Sequence, residues 1–359
     1  MDIGKVFGIP GTELLREPYG SGHINDTFRV VMEDGGEKKE YVLQRINTTI
    51  FRDPAALMEN IRRVTEHLTE KIRARGGDPV RETLHFYPTA EGKYFYEDEQ
   101  GAWRLMDMVT RIRSYDLAES EAMFEDSGAA FGRFMADLTD FPARELTEVI
   151  PNFHHTGKRY DTFCAEVEKD AAGRAAECRE EIEFALARHE LALSLIRQLD
   201  AGELPYRVTH NDTKINNVLM DADTGKAICV IDLDTVMPGA CAYDFGDSIR
   251  FGASNALEDE RDLSKVFMRM DLFEAYVRGY VGTVGKSLTP AELESLVTGA
   301  MVMTYETGIR FLGDHLNGDV YFKIHRPGQN LDRARTQLKL VADMEAKEEA
   351  MRAIVRKYA

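Results

Sequence analysis

Cysteine is scarce: Cys164, Cys178, Cys229 and Cys241 are the only four in 359 residues, and no two stand in Cys-x-x-Cys spacing. That argues against a disulfide framework or a zinc site and fits a reducing, cytoplasmic setting. No run approaches the roughly 18 apolar residues that a membrane span needs. The opening Met1-Asp-Ile-Gly-Lys-Val-Phe-Gly-Ile-Pro10 lacks the charged-then-apolar design of a secretory signal. Positive charge is in deficit: 45 Lys and Arg against 62 Asp and Glu give a formal net charge of −17. This argues against nucleic acid as a partner, because phosphate backbones are held by clustered Lys and Arg. An acidic protein that takes a polyanionic ligand must neutralise it locally, and carboxylate-held Mg²⁺ does that.

What remains is an ordinary globular composition, 43% hydrophobic and 30% charged, long enough for two lobes. The first hundred residues alternate short strand-like runs with turns. Phe28–Met32 and Tyr41–Gln44 flank the turn residues Glu33-Asp-Gly-Gly-Glu37, a hairpin signal. A helix follows from Pro54 to Ala74, with Leu57, Ile61, Val64 and Leu68 on one face and proline at its start. Tyr94–Tyr96 and Trp103–Val109 read as two further strands. From Ser120 onward helical periodicity dominates, over Ala122–Leu138, Asp161–Leu186, Leu191–Leu199, Leu263–Tyr280, Pro290–Leu316 and Leu331–Lys357. The exception is a hairpin over Asn217–Asp232, turning at Asp221-Ala-Asp-Thr-Gly225. No internal repeat or low-complexity linker occurs. These elements predict an α+β amino-terminal lobe over residues 1–108 and a larger, mainly helical lobe over residues 109–359.

The strongest chemical signal is Arg207-Val-Thr-His-Asn-Asp-Thr-Lys-Ile-Asn-Asn-Val-Leu-Met220, followed by Ala227-Ile-Cys-Val-Ile-Asp-Leu-Asp234. It contains His-x-Asp-x-x-x-x-Asn (His210, Asp212, Asn217) and then Asp232 at the end of an apolar run. Phosphoryl transfer needs an acceptor hydroxyl aligned and its proton taken up, which one carboxylate can do. The spacing to Asn217 lets one loop present that base beside a neutral oxygen ligand. The hairpin returns Asp232, a hard carboxylate suited to Mg²⁺. The duller alternative is a polar loop of turn-forming Asn and Asp.

Other motifs are weaker. Asp221, Asp223 and Asp232 mimic an EF-hand, but Lys226 stands where that loop requires glycine. Gly282–Ser287 resembles the end of a P-loop and fails, since Tyr280 stands at the first glycine and helix precedes it. Glu17-Pro-Tyr-Gly-Ser-Gly-His-Ile-Asn25 is a candidate glycine-rich turn over nucleotide phosphates, with Asn25 in place of the third glycine. In Tyr243-Asp-Phe-Gly-Asp247, Asp244 and Asp247 read as caps of the next helix or as supports of the catalytic loop. Arg310, with Glu306 and Asp314 a turn away on either side, reads as a surface ion-pair ladder or as a donor fork aimed at acceptor hydroxyls. His154-His155 reads as a solvated loop.

With these residues in hand, the chain resembles the aminoglycoside phosphotransferase and choline kinase superfamily and, within it, the N-acetylhexosamine 1-kinases. The likeness runs through Glu17–Asn25, Leu43-Gln-Arg-Ile-Asn-Thr-Thr-Ile-Phe51, the His210–Asn217 loop, Ile231–Thr235, Asp244–Ser254, Gly308-Ile-Arg-Phe-Leu312 and Gly318-Asp-Val-Tyr-Phe322. The resemblance implies a protein-kinase-like two-lobe fold with a small antiparallel sheet in the first lobe. It implies ATP and Mg²⁺, and phosphorylation of the anomeric hydroxyl of N-acetylglucosamine or N-acetylgalactosamine. Asp212 becomes the general base, and Asn217 and Asp232 the metal ligands. Ser21, Gly22 and Gln44 lie near the phosphates, and Met106, Asp107 and Met108 lie at an adenine-binding hinge. His23, Asp212, Arg310 and Tyr321 contact the sugar.

One departure stands out. Gln44 occupies the strand position where kinase-like proteins carry a phosphate-binding Lys or Arg, which leaves Arg45 or Mg²⁺ to supply the charge and Glu59 or Glu66 as its acidic partner. Two rivals follow: a kinase for choline or an aminoglycoside, weakened by the lone Trp103, and a non-catalytic nucleotide-binding module. No obligatory protein partner is evident.

Overall fold

The computed structural model describes residues 1–20 and 24–359 of the chain, in two compact units. The first comprises Met1–Arg113, Asp140–Pro151 and Leu219–Met237; the second comprises Ser114–Thr139, Asn152–Val218 and Pro238–Ala359.

The first unit is built on an antiparallel five-stranded sheet: β1 (Thr12–Pro18), β2 (Asp26–Asp34), β3 (Glu37–Ile46), β4 (Tyr96–Asp98) and β5 (Gly101–Asp107), in the order β1-β2-β3-β5-β4. The predicted hairpin is the β2–β3 pair. Its register closes on Asp34↔Glu37 because Gly35 and Gly36 take φ of 59° and 88°, which lets two residues reverse the chain. Ile3, Phe7, Val30, Met32, Tyr41, Leu43, Trp103 and Leu105 form one core on this sheet. The helix Pro54–Ala74 stands where its periodicity places it, capped by Asp53 and burying Leu57, Ile61, Val64 and Leu68. Its Met58 Sδ lies 3.8 Å from Arg104 on β5, which puts that apolar face against the sheet. The strand predicted over Tyr94–Tyr96 begins only at Tyr96, where pairing to Trp103 starts.

The second unit is helical, with Glu121–Asp137, His189–Asp200, Pro290–Leu316 and Gln329–Tyr358 close to expectation. Two predicted helices are broken. Asp161–Leu186 divides into Thr156–Lys169 and Arg179–Leu186, since Asp170 and Gly173 turn left-handed at φ of 37° and 69°. Leu263–Tyr280 is a short 3-10 turn at Leu263–Lys265 and then the helix Met270–Val284. In both cases apolar spacing persisted across a loop. The helix Cys241–Gly252 is almost wholly buried. It meets Pro290–Leu316 at two glycines: a Cβ on Gly246 would stand 2.3 Å from the Gly299 carbonyl, and one on Gly299 2.2 Å from the Ala242 carbonyl. That close approach holds a helix bearing two carboxylates, Asp244 and Asp247, inside the core.

Candidate active site

The loop from Thr209 to Asn217 takes its shape from the buried helix Cys241–Gly252. Asp244 accepts from the backbone N–H of His210 at 2.8 Å and of Asn211 at 2.7 Å, and Asp247 accepts from Thr213 N–H at 3.0 Å. Ser248 donates to the Thr213 carbonyl at 2.8 Å and is itself held by Tyr276. Asn211 sits left-handed at φ 65°, a conformation asparagine tolerates, and turns the chain so that Asp212 follows. The imidazole of His210 is fully buried, edge-on to Phe131 and Phe134, and its Nδ1 accepts from Asp212 N–H at 3.3 Å. Asp244 and Asp247 thus lie within the helix and clamp the loop; they do not cap it. Burial pushes Asp244 up to about 6, against the pull of His210 and the two N–H donors. Burial opposes the charge on Asp247 too, but Arg250, 2.8 Å away, outweighs it and holds that carboxyl below its usual value.

Asp212 is half-buried and flanked on both sides. Asn217 donates through Nδ2 to the Asp212 carbonyl at 2.8 Å and to its carboxylate at 3.1 Å, which turns Asn217 Oδ1 away from Asp212. Lys214 places Nζ 2.7 Å from Asp212 Oδ1. Burial works against charge on Lys214, yet Asp212 and Asp247 hold its ammonium above the usual lysine value.

Arg310 is not part of an ion-pair ladder. Both flanking carboxylates are committed elsewhere. Glu306 accepts from His154 Nδ1 at 2.9 Å and Thr156 Oγ1 at 2.6 Å. Asp314 accepts from the backbone N–H groups of Val320, Tyr321 and Phe322 at 2.8–2.9 Å and from Asn330 at 2.9 Å. The Arg310 guanidinium lies 6.0 Å from the Tyr321 ring and 5.5 Å from the Phe322 ring, and Tyr321 is 71% exposed. A second guanidinium, Arg159, is close enough that, after burial, Arg310 is the main influence depressing its basicity. Its buried Nε has no hydrogen-bond partner. His154, expected in a solvated loop, is 9% exposed and bonded at both ring nitrogens, to Glu306 and to the Asn211 carbonyl. Only its neighbour His155 is half-exposed, where it caps the following helix.

In the first unit, Gln44 belongs to a polar network across the sheet. Its amide donates to Thr27 at 3.0 Å and accepts from Arg104 Nε at 2.9 Å, directly across the β3–β5 register. Arg104 Nη1 meets Asp234 at 2.5 Å, with side chains only 3% and 4% exposed, and Asn25 donates to the same carboxylate at 2.6 Å. The hairpin strands Val218–Asp221 and Ala227–Val230 precede Asp232, which is exposed and left-handed at φ 61°. Arg45 is spent on Asp26 and on the Trp103 face at 5.9 Å. Glu59 and Glu66 pair with Arg62 on their own helix surface. At the predicted hinge, Met106 is buried, Asp107 N–H donates to the His85 carbonyl at 3.0 Å, and Met108 N–H donates to the Glu40 carbonyl at 3.3 Å. Ser21, Gly22 and His23 lie outside the described residues.

Sequence reasoning overlooked Lys214, Asp234, Arg104 and the bridging role of His154. Lys214 and Asp234 stand two residues beyond Asp212 and Asp232, within strings already singled out. Arg104 gave no signal, because β5 is buried on both faces and lacks alternation.

A sequence model described as "Phosphotransferase enzyme family" matches residues 16–280. Among solved structures, the chain is similar to a spectinomycin phosphotransferase in complex with ADP and spectinomycin, at 14% identity, TM-score 0.57, and 96% of each chain. It is similar to choline kinase from Cryptosporidium parvum at 12% identity, TM-score 0.56, over 98% of this chain and 92% of that one. It is also similar to a choline/ethanolamine kinase family protein from Mesorhizobium loti at 18% identity, TM-score 0.51, over 96% and 92%. At these identities the likeness is one of fold, and it is the kinase-like fold.

Proposed function

This chain belongs to the phosphotransferase enzyme family, and from that premise we propose that it transfers the γ-phosphoryl group of ATP to the anomeric hydroxyl of N-acetylglucosamine or N-acetylgalactosamine. The observation that carries the transfer is the clamped loop: Asp212 held between Asn217 and Lys214 by a buried helix that captures the surrounding backbone N–H groups. In this reading the acceptor oxygen attacks the γ-phosphorus and the bond to the bridging oxygen breaks. ADP leaves with that electron pair, and the hydroxyl proton passes to Asp212.

Asn217 Oδ1 and the exposed Asp232 carboxylate are hard oxygen donors that suit Mg²⁺. Among the described residues no group of three or more His, Cys, Asp or Glu is placed to hold a metal. When bound, the ion neutralises phosphate charge as the transfer proceeds. Ser21, Gly22, Gln44, Met106, Asp107 and Met108 are assigned to the nucleotide, and His23, Arg310 and Tyr321 to the sugar.

The acceptor class is argued from charge. Arg310 keeps its guanidinium because Glu306 and Asp314 are bonded elsewhere, and Arg159 lies near it. Two cations beside an exposed tyrosine favour a neutral, hydroxyl-rich ring and disfavour choline or an aminoglycoside. The test is a screen of N-acetylglucosamine, N-acetylgalactosamine, choline and kanamycin with ATP, reading ADP release for every acceptor and, for the sugars, the product as an anomeric phosphate. Turnover confined to the cationic acceptors would remove the sugar assignment. Asp212→Ala is expected to lose at least about a hundredfold in kcat, the low end for a general base. Near-normal turnover in that variant would end the assignment of Asp212 as the base, and ATP binding with no acceptor turned over would favour a non-catalytic module.

A further inference from the structure

His154 precedes the helix Thr156–Lys169 and reaches two other elements of the same unit. Its Nδ1 lies 2.9 Å from a Glu306 oxygen on the helix Pro290–Leu316. Its Nε2 lies 3.2 Å from the carbonyl of Asn211, the residue before Asp212. Glu306 is one helical turn before Arg310. The ring is packed at 4.4 Å from Phe153 and 5.5 Å from Tyr243, measured between centroids.

We propose that His154 is a positioning residue: its imidazole, bonded through both ring nitrogens, ties the loop that presents Asp212 to the helix turn that presents Arg310. The inference rests on the proposed roles of those two residues.

The ring's bonds follow from its partners. A carbonyl accepts and never donates, so Nε2 carries a hydrogen. Burial opposes charge on Glu306, but His154, Arg310 and Thr156 outweigh it and hold the group as a carboxylate, the acceptor that Nδ1 faces. The other charges facing the ring are the carboxylates of Asp244 and Asp247 from the helix Cys241–Gly252. A bridge of two hydrogen bonds, one of them to a carboxylate, is directional in a site this dry, and it sets where the Asn211 carbonyl, and hence Asp212, stands relative to the acceptor fork.

Two measurements decide it. In ¹⁵N-labelled wild-type protein, a His154 ring N–H is expected in slow exchange with solvent, as a buried, bonded donor requires. Ring hydrogens lost to fast exchange would overturn the proposal. His154→Leu is expected to lower kcat roughly 10- to 100-fold and to raise the acceptor KM, because small misplacements of reacting groups cost that much. The KM for ATP should stay within about twofold, which a general loss of structure would not produce. Wild-type kinetics in this variant would also overturn it. If His154→Leu fails to fold, Glu306→Gln takes its place. That change removes the carboxylate and keeps an acceptor oxygen, so the His154 ring resonances should shift. An unchanged ring spectrum would refute the bridge. The spectra need no substrate, so absence of sugar phosphorylation would sink the acceptor assignment and leave His154 decided by its own signals.

Discussion

The two units use buried carboxylates differently, although Asp247 in the helical unit is also paired with Arg250. In the sheet unit, Arg104 and Asp234 cancel each other at 2.5 Å, with Gln44 and Asn25 completing the set. In the helical unit, Asp244 and Asp247 are directed at backbone N–H groups of the 209–217 loop. An ion pair fixes two side chains, whereas a carboxylate on main-chain donors fixes the path of the chain itself. The chemistry proposed for Asp212 depends on where that side chain points and calls for the second device. A strand already held by its ladder needs only the first.

The sharpest way to break this comparison is to unbalance the pair. Arg104→Met strands Asp234 in a dry site and is expected to cost about 3–5 kcal/mol, measured by urea unfolding. Adding Asp234→Leu should recover most of that loss, since removing both charges is far cheaper than removing one. A double variant as unstable as the single one would mean the pair contributes more than mutual neutralisation.

Asp244→Ala strands two buried donors at once and should cost about 3 kcal/mol. Unlike the sheet variants, it should lower kcat more than it alters either KM. Asp244→Asn keeps one acceptor oxygen and sharpens the point through pH. Asp244 is raised to about 6 in the folded protein, so folding binds its proton more tightly than the unfolded chain does. The native state then holds more protons between the unfolded value of about 4 and about 6, and the contribution of this group falls as pH rises through that window. The stability gap between wild type and Asp244→Asn should therefore shrink as pH is raised from about 4 to about 6, followed by thermal unfolding. A gap that widens would reverse the assignment.

Arg310→Ala should raise the sugar KM by about tenfold, equivalent to roughly 1.4 kcal/mol, with folding and ATP KM unchanged. The smallest effect is expected at Glu59 and Glu66. Each pairs with Arg62 at the surface, so Gln at either should move stability by less than about 0.5 kcal/mol and leave ATP KM alone.

Much of this was legible in the chain. Gly35-Gly36 announced the hairpin, and proline with a regular apolar stripe announced the helix Pro54–Ala74. The His210–Asn217 string located the loop. The breaks at Asp170 and before Met270 were not legible, because apolar spacing continued through residues whose backbone leaves the helix. Nor was the burial of His154. Two adjacent histidines between turn residues look solvated until a carboxylate more than a hundred residues later is known to meet one of them.

Local order decided the elements and named the candidate reactive groups, because periodicity, turn residues and short spacings are properties of neighbours along the chain. The tertiary structure alone decided who holds whom: Arg104 with Asp234, Asp244 with the loop, and His154 between Glu306 and Asn211. Those bonds join residues far apart in sequence. A buried polar group takes its partner from whatever packing brings within reach, and no pattern along the chain encodes that.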